Sequence, residues 1–198
     1  DDDRGWPGKL HEETFSAAPF EVADAHGLVW RGLQLVASLG REGFEGLRAE
    51  IAYLTVGGGN VLKVVYRLVN GTSAYRRVVP GLLAFFQVDG EHENSVLHGD
   101  GLHRKRTLHM AWPFAGSWGA VVNPDSGRAA VMVGASGERR VRLTDWGADG
   151  GHLCFDNVAV IAPHGSHELV AYLALATSLE EAQRYSSLAR WADESMSK

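Results

Sequence analysis

From Leu28 onward, short apolar or alternating runs are interrupted by turn residues at intervals of roughly 8 to 15 positions, the rhythm of an all-β chain. The clearest pair is Leu47–Val56 and Val61–Val69, joined by Gly57, Gly58, Gly59 and Asn60. Three glycines and an asparagine tolerate the positive φ angles of a tight reversal, so the pair predicts a hairpin. In its second strand Leu62, Val64, Tyr66 and Leu68 fall on one face, while Lys63 and Arg67 share the other with Val61, Val65 and Val69. One face is core and the other mixed, the pattern of a sheet partly covered by a second layer. Further strands are predicted at Leu33–Leu39, Leu82–Val88, Trp118–Val122, Ala129–Val133, Arg140–Trp146, Leu153–Ile161 and Leu169–Ala176. Asn123-Pro124-Asp125-Ser126-Gly127 is a strong reversal between two of them.

Residues 1–27, with Pro7, Pro19 and few periodic apolar positions, read as an irregular lead-in, and residues 28–176 as one sandwich domain. Residues 177–198 change character. Ser178 is placed to cap a helix with Glu181 as its capping-box partner, and Leu179, Ala182, Tyr185 and Leu188 recur at helical spacing. A helix running to about Ala192 is predicted.

Composition narrows the classes. The 198 residues suffice for one substantial core, and 45% hydrophobic with 22% charged residues is ordinary for a packed domain. A formal charge of −5 opposes the positive field that phosphate-backbone binding needs, so nucleic acid is not an expected partner. The basic residues Arg104, Lys105 and Arg106, then Arg139, Arg140 and Arg142, read as solvated strand faces. Cys154 alone forms no internal disulfide, and its neighbours Leu153 and Phe155 suit a small buried residue. No apolar run approaches the roughly 20 residues of a membrane-spanning helix. The chain begins at Asp1 without a signal-peptide pattern and reads as a mature chain or an excised piece.

The stretch Asn60–Gly90, NVLKVVYRLVNGTSAYRRVVPGLLAFFQVDG, resembles the central strands of the galactose-mutarotase-like β-sandwich superfamily. There, a strand ending in Asn leads through a polar turn and a Pro into a strand with an aromatic pair and a Gly. Asn70, Thr72, Pro80, Phe85, Phe86 and Gly90 stand at the matching places. The segment Ile161–Glu168 followed by Leu169–Ala176 is similar to that family's closing strand. The resemblance implies an antiparallel mutarotase-like sandwich and a carbohydrate ligand. It also carries a departure: the place of the family's catalytic His is held by Leu83, which neither exchanges a proton nor polarises a ring oxygen. No motif here matches the family's catalytic Glu.

Candidate chemistry follows from this. Trp112, Phe114, Trp118 and Trp146 lie in or beside predicted turns and strand ends, where sugar-binding sandwiches stack rings on pyranose faces; the alternative is core packing. Arg142, Asp145 and His109 would orient a sugar beside them. His98, His103 and His109, with His92, Glu91, Glu93 and Asp100, form a second constellation, read either as an acid/base or metal site or as a solvated loop. His164-Gly165-Ser166-His167-Glu168 is a turn, not two His on one helical face, and Gly-x-Ser-x-Gly is absent. Gly57–Asn60 lacks the Lys of a phosphate loop, and no cofactor or metal is expected. Asn70-Gly71-Thr72 fits both an N-glycosylation acceptor and the polar turn. The resulting expectation is a noncatalytic carbohydrate-recognition or ancillary domain beside other domains of a longer protein. The alternatives are an aldose epimerase-like enzyme using a relocated His and a structural module that docks neighbouring domains.

Overall fold

A computed structural model describes residues 10–24, 26–86, 88–89, 96–99, 102–105, 116–134, 140–146, 149–155 and 158–188. Its strands are β1 (Ser16–Ala23), β2 (Val29–Ser38), β3 (Leu47–Thr55), β4 (Val61–Asn70), β5 (Arg76–Val78), β6 (Gly81–Phe86) and β7 (Val96–Gly99). There follow β8 (Leu102–Lys105), β9 (Trp118–Val122), β10 (Ala129–Gly134), β11 (Arg140–Trp146), β12 (Asp149–Phe155), β13 (Ala159–Ile161) and β14 (Ser166–Ala176), then helix α1 (Leu179–Tyr185). Nine strands form one sheet in the order β1-β2-β3-β4-β14-β10-β9-β7-β8; β11-β12-β6 and β13-β5 form two smaller sheets. The pairings are antiparallel, and the fold is an all-β sandwich.

Strand alternation divides the apolar residues between the two faces of the large sheet. On the first face Trp30, Leu54, Trp118, Val131 and Tyr172 form a buried cluster, closed at one end by Leu179, Ala182 and Tyr185 of α1. On the second face Leu47, Val64, Tyr66, Met132 and Leu169 pack against Val78, Leu82, Val141 and Ile161 of the smaller sheets. The mixed face read for the Val61 strand is thus the first face, where Val61 and Val65 reach the core and Arg67 stays exposed. Each large aliphatic side chain buried in these layers stabilises the fold by about 1.5–3 kcal/mol.

The structure departs from the sequence reading in four places. Regular structure begins before Leu28: β1 lies inside the expected lead-in, as an edge strand. An edge tolerates Pro19, which donates no ladder hydrogen bond, and only Phe20 and Val22 reach the core, so the apolar alternation is faint. The single strand expected over Leu153–Ile161 is two, β12 and β13, on different sheets. Asp156-Asn157, a turn-forming pair, interrupts that run. Helix α1 runs Leu179–Tyr185 and is broken by a turn at Ser186 and Ser187, after which Leu188 is again helical; the expected end at Ala192 lies outside the described residues. Ser186 and Ser187 turn their hydroxyls back onto the carbonyls of Gln183 and Arg184, competing with helical continuation; positions past 188 lie outside the described residues. Finally, the loop expected around His98 and His103 is the strand pair β7–β8.

Candidate functional site

The first face of the large sheet carries the most chemically directed set of side chains among the described residues. Asp24, directly after β1, accepts the indole N–H of Trp30 at 2.8 Å and the backbone N–H groups of His26 and Leu28 at 2.9 and 3.1 Å. Burial pushes its carboxyl up, but the Trp30, Leu28 and His26 hydrogen bonds and the Lys63 charge outweigh that and hold it below the ordinary carboxylate range. Trp30 meets Tyr172 with ring centroids 5.9 Å apart and planes tilted 49°. The Lys63 ammonium lies 5.3 Å from the Trp30 ring centre, a cation–π contact. Burial lowers its pKa, against the opposing pull of Asp24 and Glu168. Tyr172, directly opposite Lys63 in the β4–β14 register, is pushed up to about 12 by burial and by Asp24, and remains a hydrogen-bond donor at neutral pH.

Farther along the same face, opposite charges lie side by side within β3 and across to β4 and β14. Arg48 contacts Glu50 at 2.6 Å, Arg67 contacts the other Glu50 oxygen at 3.6 Å, and Glu168 stands opposite Arg67. Trp30 and Tyr172 are each 2% exposed in the first-face core, so Asp24 and Lys63 act here as polar anchors on buried rings. Sequence reasoning singled out neither Asp24 nor Tyr172. The available signals were a lone lysine within the apolar run VLKVVYRLV and a tyrosine in the middle of the closing strand.

The residues expected to bind ligand are divided between layers. Trp118 is 7% exposed and lies in the first-face core, so the packing alternative describes it. Its predicted place at a strand end is correct, since it opens β9, opposite Val133 of β10. Arg142, Asp145 and Trp146 lie on β11, opposite Leu153, Gly150 and Asp149 of β12. Val141 of that sheet packs on the second face, whereas Trp118 belongs to the first-face core. Leu83 on β6 is itself opposite Leu153. Leu83, Leu153 and Arg142 therefore stand in one cross-strand row, and Phe86, Gly150 and Asp145 in another. Trp112 and His109 lie outside the described residues.

His98 and His103 occupy directly opposed positions on β7 and β8, and His98 is buried. The missed signal was Asp100-Gly101, a favoured hairpin dipeptide between short runs. Among the described residues no group of three or more His, Cys, Asp or Glu is placed to hold a metal ion. Among them, too, no helix is long and apolar enough to cross a membrane. Asn70 is fully buried with its amide engaged by Ala74, Ala162 and Thr72, which decides for the turn over a glycan acceptor.

No family model and no curated protein matches the sequence. Solved structures match the fold. A structure named as a candidate aldose 1-epimerase from Klebsiella pneumoniae superposes with a TM-score of 0.62 at 11% identity, covering 85% of this chain and 56% of that one. A galactose mutarotase-like protein from Clostridium acetobutylicum gives 0.62 at 11% identity, over 86% and 68%. An α-galactosidase from Lactobacillus brevis gives 0.58 at 13% identity, over 90% of this chain and 29% of its own. The sandwich of this chain is of the galactose-mutarotase-like type. It spans little more than half the length of the Klebsiella protein.

Proposed function

We propose that the chain is a noncatalytic carbohydrate-recognition or ancillary domain acting within a larger carbohydrate-active protein. The observation that carries this reading is Leu83, a residue without acid/base chemistry, in one row with Leu153 and Arg142 at the position where the family resemblance requires a His. The fold shared with a galactose mutarotase-like protein and with part of an α-galactosidase supports the ligand class and the domain context. In this reading Trp112 and Trp146 supply the stacking ring, and Arg142 and Asp145 orient the sugar. Polarimetry tests the noncatalytic half. Anomer interconversion of glucose or galactose should run at the buffer rate, and an enzyme-dependent acceleration refutes it.

The direct opposition of His98 and His103 favours a second reading, an aldose epimerase-like enzyme with relocated proton-handling residues. It requires mutarotation that disappears in His98→Ala, His103→Ala or His109→Ala.

A further inference from the structure

The register of β4 and β14 sets a nucleophile beside a proton donor. Lys63, the lone lysine in the apolar run of β4, stands directly opposite Tyr172 of β14 and, on its other side, Leu54 of β3. It shares the alternation of Val61 and Val65, and so the first face, where Leu54 and Tyr172 belong to the buried cluster. The Lys63 side chain is half-buried, with its ammonium 5.3 Å from the Trp30 ring centre. Among the described residues no carboxylate lies within salt-bridge distance of it, and Asp24 and Glu168 reach it through their charge alone. Tyr172 is 2% exposed, and among the described residues its hydroxyl has no hydrogen-bond partner. That oxygen is not sealed in either, since among the described residues Arg76 Nε is the one fully covered side-chain polar atom left unpaired.

We propose that Lys63 is a covalent capture site for small aldehydes, open-chain aldoses among them, which it holds as an imine. The lone pair of the neutral amine attacks the carbonyl carbon, and the C–N bond forms as the carbonyl π bond opens. The carbonyl oxygen takes the Tyr172 hydroxyl proton, which water restores, and the nitrogen gives its surplus proton to water. The carbinolamine C–O bond then breaks, and its hydroxyl leaves with one proton as water. In sum, one ammonium and one aldehyde give one protonated imine and one water, with the charge conserved. Three features favour this step. Burial lowers the Lys63 pKa against the partial opposition of Asp24 and Glu168, so a larger share of it is neutral than of an exposed lysine. The Tyr172 hydroxyl, protonated at neutral pH and unengaged, is a general acid for the developing alkoxide. The Trp30 face and the Asp24 and Glu168 charges, which attract the ammonium, attract the protonated imine equally.

This inference is independent of the stacking residues. The test treats the full chain with millimolar glyceraldehyde and cyanoborohydride, which reduces an imine to a stable secondary amine, and reads each lysine by peptide mass spectrometry. The chain has three other lysines, Lys9, Lys105 and Lys198. Lys63 should be labelled at least about tenfold faster than any of them. Tyr172→Phe removes only the hydroxyl and should slow that labelling about tenfold or more, while acetylation of Lys63 by acetic anhydride, which needs no proton donor, keeps its rate. A folded parent that labels Lys63 no faster than the other lysines overturns the proposal, whether or not the variant folds. So does a Tyr172→Phe protein, folded by its melting temperature, that labels Lys63 as fast as the parent.

Discussion

Replacing Asn70 should loosen the joint between the large sheet and the β5–β13 pair. Asn70 ends β4 and is 0% exposed. Its amide nitrogen donates to the carbonyls of Ala74, Ala162 and Ile161 at 2.8, 3.0 and 3.3 Å. Two hydrogens serve these three acceptors, so the longest contact is a shared one. Its side-chain oxygen accepts the Thr72 backbone N–H at 3.0 Å and the Thr72 hydroxyl at 2.8 Å. Asn70→Ala removes four well-formed bonds. Water compensates at Ala74 and Thr72, near the surface, but not at Ile161, which is 2% exposed. With about 1 kcal/mol for each bond lost and 1–3 kcal/mol for a buried group left unpaired, the expected loss is about 5–7 kcal/mol. Asn70→Asp keeps the acceptor but turns a carboxylate onto three carbonyls, and should be at least as damaging. Thr72→Val removes only the hydroxyl's share, about 1 kcal/mol. Urea unfolding of the four proteins measures these differences. A loss below about 1 kcal/mol in Asn70→Ala would refute the reasoning, because the amide would then add nothing beyond what water supplies.

Trp118→Ala should destabilise the domain by about 3–5 kcal/mol in the same assay, since the ring lies in the first-face core. Tyr66 and Tyr172 both have pKa values pushed up to about 12, by burial first in each case. The folded state therefore disfavours phenolate. Their contribution is complete below the unfolded value near 10 and lost as pH rises toward 12, so the melting temperature should fall steeply across that window, and less steeply in Tyr172→Phe. Ser178 accepts the N–H of Glu181 at 3.1 Å, so Ser178→Ala should cost about 1 kcal/mol, read as a lowered melting temperature.

How much of this was legible depended on whether period and punctuation agreed. The β3–β4 hairpin was, because alternation on Val61–Val69 meets four turn residues, with Gly58 at φ +75°. Ser178 and Glu181 were too, except that Glu181 reaches back to Thr177 where a capping box would bond the cap residue itself. The edge strand β1 was not, since it buries too few side chains to imprint alternation on the sequence. The partition of Trp118 from Arg142, Asp145 and Trp146 was equally hidden. It depends on which sheet each strand joins, and a strand's pattern records whether a face is buried but not against what. Asp24 escaped notice because its role lies in a contact with Trp30 across a turn, without a spacing motif.

The central claim is carbohydrate recognition by a domain without ring-opening chemistry. Saturation-transfer NMR of the full chain against glucose- and galactose-containing saccharides at millimolar concentration tests it most directly, with Trp146→Ala and Trp112→Ala as matched variants. The account predicts saturable binding of at least one saccharide, weakened about tenfold or more in one of these variants while its melting temperature holds, as loss of a stacking ring worth about 1–3 kcal/mol requires. Absence of saturable binding to every saccharide in the panel would contradict it.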